Sequence, residues 1–349
     1  MRKIYNAVVD FILEEYVFLI SFFLSLIIFM WPVDYYITVG GGISSMDDRV
    51  ILSEEYVSRG SLNLSYVREA DGRVGLYLLS FIIPGWEAEP ISDYQIDEES
   101  MEDLDTRGKL NLLESNSIAT KVAYTLAEKE IKEKSSKLFV NYTLKEFPTE
   151  FKIGDQLLSI DDKTFNDKSS VSEYINSLDK EEVLVKVKRD KEEVTFKSKV
   201  YAYEDKKILG VGIAKVATYE TEPTIKLAFK ENESGSSAGL MTALTIYDKL
   251  VKEDLTRKYD IAGTGTINED GSVGSIGGVK YKLMGAVRGK ADIFLVPNGE
   301  NYEECVKLQK EKNYNITIIG VSTLEEAISA LERLDNKYED WYWFRWYSL

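Results

Sequence analysis

The sequence predicts an α+β multidomain chain: an N-terminal transmembrane helix, a β-rich membrane-proximal region, a compact antiparallel unit and a closing α/β domain. Three observations predict it: an uncharged apolar run at 17–33, two alternating strands joined by a tight turn at 182–200, and strands that alternate with amphipathic helices from 224 onward. At 349 residues there is room for two or three domains, each with its own core. The boundaries fall at 1–15 (cytoplasmic N-terminus), 16–33 (span), 34–114 (membrane-proximal strands and acidic linker), 115–204 (antiparallel unit with a preceding helix), 205–335 (α/β domain) and 336–349 (aromatic tail).

The run VFLISFFLSLIIFMWPV is at the short end of what spans a ~30 Å hydrocarbon core. No small-x-small cleavage site follows it, because Met30, Trp31 and Pro32 are bulky, so it reads as a retained anchor. Arg2 and Lys3 precede the run, and no basic residue follows until Arg49. The positive-inside rule then makes this a single-pass cell-membrane protein with residues 34–349 extracytoplasmic.

Strand patterns follow in VILSEEYV and SLNLSYV, then a turn at Asp71-Gly72 and a buried strand from Leu76 to Ile83. Residues 87–105 hold nine acids and no base, which describes a solvated linker or exposed helix; the Gly-centred loop of a calcium site is missing. Ile118, Val122, Leu126 and Ile131 place an amphipathic helix over 115–135.

Next come KLFVNYTL, FKIGDQLLSIDDKTF, a helix-like SSVSEYINSL, and the strands EVLVKVKR and EEVTFKSKV joined at Asp190-Lys191. The stretch Lys152-Ile153-Gly154-Asp155-Gln156-Leu157-Leu158-Ser159-Ile160, with Asp161 and Asp162 after it, resembles the K-x-G-D-x-I-x-x-I-x-G core of PDZ domains. Asp162 stands where glycine is usual, and no clear carboxylate-binding Gly-Leu-Gly-Phe loop precedes it. The resemblance implies the fold and a unit that engages substrate or partner, by adding a strand to a sheet edge where a peptide binds.

Composition excludes a great deal of chemistry. The net charge of −16 with no basic patch argues against nucleic acid. The absence of histidine removes the Ser-His-Asp triad, the Cys-His dyad and histidine-ligated zinc. Cys305, the only cysteine, can form no intramolecular disulfide and reads as core. No metal or cofactor is expected.

A half-buried strand at TIKLAFK leads through a polar loop to Gly235 and then to a helix with Leu240, Leu244, Tyr247 and Val251 on one face. Ser237 opens that helix, where backbone N–H groups point outward and can receive an oxyanion. By itself, a serine in this place is usually an N-cap. The second element is DIAGTGTINEDGSVGSIGGVKYKL: a strand, a turn around Asn268–Gly271, a return strand, and a glycine-lined approach to Lys280 before another helix. A lysine base must be neutral, and lowering its pKa from ~10.4 by roughly three pH units corresponds to about 4 kcal/mol of differential solvation. Neutral Lys280 could then take the Ser237 proton and return it to a leaving amine.

Gly235-Ser236-Ser237-Ala238-Gly239 resembles the G-P-S-A-G motif of Lon-type peptidases, and Gly263-Thr264-Gly265-Thr266-Ile267 through Gly277-Gly278-Val279-Lys280 resembles their T-G-x-I…I-G-G-x-K segment. The interval of 43 residues from Ser237 to Lys280 also fits, and the likeness continues through Phe294-Leu295-Val296-Pro297-Asn298 to about residue 335. It implies Ser237 as nucleophile and Lys280 as base, with Thr264, Gly235 and Ser236 in support. Ser236 replaces the usual proline and Ser234 an acidic residue, with Glu233 as an imperfect substitute. The order anchor, PDZ-like unit and peptidase resembles bacterial membrane PDZ-Lon proteins, and the ring-forming relatives imply a homo-oligomer, hexameric by that likeness.

No G-x-x-x-x-G-K-[ST] loop occurs in these residues, so cleavage is expected to be ATP-independent. The expected activity is serine endopeptidase hydrolysis of unfolded, extracytoplasmic or membrane-associated proteins. The rival is a catalytically silent scaffold or chaperone-like binding protein at the membrane. Ser322-Thr323-Leu324-Glu325 caps a last helix. The tail YEDWYWFRWYSL suits either a membrane interface or packing on protein.

Overall fold

The computed structural model describes residues 4–5, 11, 13–97 and 99–337, so the aromatic tail lies outside the described residues. The chain begins with α1 (Tyr16–Phe29), β1 (Pro32–Thr38), β2 (Gly42–Ser45), β3 (Val50–Leu52), β4 (Ser61–Tyr66), β5 (Glu69–Arg73), α2 (Val74–Ser80) and β6 (Glu87–Pro90). It continues through α3 (Met101–Leu126), β7 (Glu130–Thr143), β8 (Gln156–Ile160), α4 (Lys168–Asn176), β9 (Glu182–Arg189) and β10 (Glu192–Lys199). A small hairpin, β11 (Tyr201–Tyr203) and β12 (Lys206–Ile208), precedes β13 (Val211–Glu222) and β14 (Ile225–Leu227). The last stretch holds α5 (Gly239–Leu250), β15 (Asp260–Gly263), β16 (Thr266–Ile267), β17 (Val273–Gly274), α6 (Val279–Arg288), β18 (Ile293–Pro297), α7 (Glu300–Lys312), β19 (Thr317–Val321) and α8 (Leu324–Glu332).

The expected transmembrane helix is overturned. The apolar run forms only the 14 residues of α1, about 21 Å at ~1.5 Å per residue against a ~30 Å hydrocarbon core. Met30 closes the helix, and Pro32, which has no N–H to donate, opens β1 instead. Trp31, Pro32 and Val33 therefore leave the helix. Among the described residues no helix is long and apolar enough to cross a membrane. The single-pass localisation, the membrane anchor and the extracytoplasmic orientation rested on that span and fall with it.

The chain divides into two compact units, residues 1–40 with 67–94, and residues 41–66 with 95–349. In the first, β1 is the centre of an antiparallel sheet in the order β5-β1-β6. Tyr77 of α2 packs on Tyr35 at 4.8 Å between ring centres and on Phe81 at 5.1 Å. The stretch read as a buried strand from Leu76 is the helix α2, because an eight-residue apolar run carries no period that separates strand from helix. Asp71 and Gly72 lie within β5, where a turn was expected.

The second unit contains two five-stranded sheets. One is wholly antiparallel, in the order β10-β9-β8-β7-β13. Val183, Val185 and Val187 alternate inward along β9 and pack with Leu138, Ile160 and Val171 and Ile175 of α4. The other runs β19-β18-β15-β4-β2, parallel except for β2 at one edge. Its strands are covered on both faces. Ile261, Ile293 and Leu295 join the core of α5 and α8, whereas Ala262, Phe294 and Val296 join that of α6 and α7. Since β2 and β4 precede the antiparallel sheet in the chain and β15, β18 and β19 follow it, that sheet is inserted within the mixed one's sequence.

Helix α3 links the two sheets. It begins earlier than the expected helix, on a capping box in which the Ser100 hydroxyl accepts from the Asp103 amide and the Asp103 carboxylate accepts from the Ser100 amide. Along its length, Glu114 and Ser117 accept the edge amides of β13, Lys215 N at 2.7 Å and Ala217 N at 3.1 Å. These are the groups an incoming strand would otherwise take. The last helix is capped one residue later than Ser322, by Thr323, whose hydroxyl accepts from Glu326 N at 3.0 Å.

Candidate active site

The segment before α5 is held from both sides. Gly235 has φ +88°, a left-handed turn suited to glycine, and its amide donates to Gly108 O of α3 at 2.8 Å. Ser236 O accepts from Ser115 Oγ at 3.1 Å. Opposite, Ser237 O accepts from Gly265 N at 3.0 Å and from Thr264 Oγ1 at 3.2 Å. The amides of Gly239 and Leu240 are engaged by Ser236 O and Gly265 O, which leaves those of Ser237 and Ala238 without a backbone acceptor among the described residues. Ser237 is half-buried in the turn at the helix entrance.

At Gly239 α5 passes close to its neighbours. A Cβ there would lie 2.6 Å from Ser115 Oγ and 2.9 Å from Ile267 N. Ahead of the turn, Glu233 pairs with the buried Arg49 and accepts from Lys230 N at 2.8 Å. Burial opposes ionisation of Glu233, but the Arg49 guanidinium and the Lys230 amide together hold its carboxyl below the usual carboxylate range.

The lysine that meets Thr264 is Lys282. Lys282 is 6% exposed, and its Nζ donates to Thr264 Oγ1 at 3.2 Å. Thr264 is fully buried and fixed through its own amide, which donates to Leu295 O of β18 at 3.1 Å. Thr264 thus accepts from Lys282 and donates to the carbonyl of Ser237. Lys280 is only half-buried, with Nζ 4.8 Å from the centre of the Tyr281 ring. Two residues along a helix differ by roughly 160° in direction, so the two lysines leave the backbone of α6 on different faces. The signal lay in the sequence: Lys282 falls in the stripe with Val279, Leu283 and Ala286, all buried, at the i, i+3, i+4, i+7 spacing of a core face. The 43-residue interval points instead to Lys280, two residues earlier on the same helix. Ser115, Gly108 and Arg49 carried no such signal, being distant in sequence and ordinary in type.

Cys305 is fully buried, and burial, with a contribution from Glu304, pushes its thiol up to about 12, consistent with core packing.

The family model of the Lon protease (S16) C-terminal proteolytic domain matches residues 230–333, and that of the PDZ domain matches residues 132–200. Curated relatives named Lon protease include one from Xanthomonas oryzae pv. oryzae, 33% identical over 102 residues that make up 29% of this chain and 12% of the relative. One from Buchnera aphidicola is 37% identical over 101 residues, 29% of this chain and 13% of the relative. Lon protease 2 of Borreliella burgdorferi is 34% identical over 112 residues, 31% of this chain and 14% of the relative. The matched region is thus about an eighth of these relatives' length. Among solved structures, the PDZ domain of the SdrC-like protein from Listeria monocytogenes aligns at 18% identity and TM-score 0.20, covering 22% of this chain and 85% of that one. The chain carries a proteolytic domain of the Lon (S16) kind and a PDZ domain.

Proposed function

We propose that this chain is a serine endopeptidase in which Ser237 is the nucleophile and Lys282 the general base, acting on polypeptides without ATP, with the PDZ unit engaging substrate or partner. The observation that carries the reading is the buried Lys282 amine on the hydroxyl of Thr264, which in turn donates to the carbonyl of Ser237. Burial disfavours an ammonium ion. In its neutral form that amine is the base that takes the Ser237 hydroxyl proton. As that proton moves to Lys282, Oγ bonds to the scissile carbonyl carbon and the carbonyl oxygen becomes an oxyanion facing the Ser237 and Ala238 amides. The resulting ammonium protonates the leaving amine, and the acyl-enzyme forms. Water then attacks the ester with Lys282 again as base, which restores the serine.

The test is cleavage of an unfolded model protein without ATP by wild type, Ser237→Ala, Lys282→Ala and Lys280→Ala. Loss of roughly 100-fold or more is expected in the first two variants and little change in the third. Activity that survives in Lys282→Ala but not in Lys280→Ala would return the base to Lys280. Cleavage by Ser237→Ala at the wild-type rate would sink the peptidase reading.

A further inference from the structure

We infer that Ser115 of α3 is a positioning residue that aims the oxyanion-binding amide of Ser237. The inference rests on the peptidase reading above and follows from the planarity of the peptide bond. The carbonyl of Ser236 and the N–H of Ser237 belong to one planar trans group and point in opposite directions. Whatever holds the Ser236 oxygen therefore sets where the Ser237 N–H points. Two donors hold it, the Gly239 amide at 3.1 Å and the Ser115 hydroxyl, 3% exposed as a residue, at 3.1 Å; of the two, Ser115 is the one that reaches it from another element.

The neighbouring planes are fixed as well. Seven residues back along the same face of α3, Gly108 O takes the Gly235 amide at 2.8 Å. On the far side, Gly265 N and Thr264 Oγ1 hold the Ser237 oxygen, which by the same planarity aims the Ala238 N–H. The two amides at the entrance of α5 are thus set by anchors on two different elements. Only the Ser236–Ser237 plane depends on a side chain of α3. Ser115 cannot drift from it easily, because its Oγ lies against Gly239, where even a methyl group would approach to 2.6 Å. An amide aimed before the reaction costs no reorganisation when charge develops, and removing one such donor outright lowers kcat by about 100- to 1,000-fold. Misaiming it costs less.

The experiment compares steady-state cleavage of a fluorogenic peptide, and phosphonylation of Ser237 by a fluorophosphonate (Oγ–P formed, fluoride released) read from intact mass, in wild type, Ser115→Ala, Ser115→Cys and Ser117→Ala. Ser117 sits on the same helix but bonds to β13, and so reports any general loosening of α3. Expected are a kcat lower by roughly 10- to 100-fold in Ser115→Ala with KM within about twofold, because the interaction matters in the transition state alone. Phosphonylation should slow in parallel. Ser115→Cys, near-isosteric with a weaker donor, should fall between, and Ser117→Ala should match wild type. Wild-type phosphonylation rates in both Ser115 variants overturn the inference, and so does a raised KM with unchanged kcat. Failure of wild type itself to label at Ser237 rejects the underlying peptidase reading instead.

Discussion

Replacing Gly239 by alanine tests whether the entrance of α5 is as tightly wedged as the geometry requires. The new methyl carbon would meet Ser115 Oγ at 2.6 Å, Ile267 Cγ2 at 2.7 Å and Ile267 N at 2.9 Å. The isoleucine side chain can rotate, but its amide nitrogen is backbone and cannot. Relief must come from moving α5 away from α3 and β16, an overpacking cost of about 1–3 kcal/mol. Hydrogen exchange of the α5 amides measures it locally, and that cost corresponds to roughly 5- to 150-fold faster exchange. Two nearby glycines supply the contrast. A Cβ on Gly277 meets nothing within 4 Å, and its φ is not positive, so alanine there should stabilise by about 0.4–1 kcal/mol through the unfolded chain. Gly235 also has open space, but at φ +88° alanine pays about 1–2 kcal/mol in backbone strain. Exchange in Gly239→Ala within twofold of wild type would refute the close approach of α5 to its neighbours.

Glu233 should contribute stability only while it is ionised. Its folded carboxyl is held below the ordinary range, so the contribution is present above the unfolded value near ~4.3 and disappears as pH falls through the folded one. Wild type and Glu233→Gln should therefore differ in urea midpoint at pH 7 and converge in acid; a difference that persists unchanged at pH 2 counts against the Arg49 pairing. Asp167 caps α4 by accepting from Ser169 N at 3.0 Å and also meets Lys215 Nζ at 3.0 Å; the amide first and the lysine second lower its carboxyl to about 2. Carboxyl-carbon NMR should place its midpoint there. A midpoint near ~3.9 would mean the cap does not form.

Much of this was legible before the fold was seen, where a local period or turn carried the information. The alternation of Val183, Val185 and Val187 marked β9, and the turn at Asp190-Lys191 marked its hairpin. The strand-turn-strand of 260–274 followed from its glycines. Local rules failed where tertiary partners decide. Leu76–Ile83 is apolar in any conformation, and the uncharged run at 17–33 says nothing of a chain that turns at Met30 into a strand. Within the site, Ser237 was marked by the glycines and small residues around it. The contact of Lys282 with Thr264 is legible from helix face and not from distance along the chain. Ser115 and Gly108 lie more than a hundred residues before the serine they adjoin, and only the folded α3 brings them there.

The insertion of one sheet inside the sequence of another imposes an order on biosynthesis. Ser61 of β4 lies opposite Asp260 of β15, and the two side chains bond across 199 residues. At about 5–20 residues per second, a ribosome releases β4 some 10–40 s before its parallel partner exists. All five strands of the antiparallel sheet, by contrast, lie between residues 130 and 222, so that unit can close while β4 still waits. During the delay β4, destined for burial over Leu62–Ser65, has only β2 beside it and presents an unpaired edge to other nascent chains. A nascent chain ending before residue 260 already contains Ser237 but neither Thr264 nor Lys282.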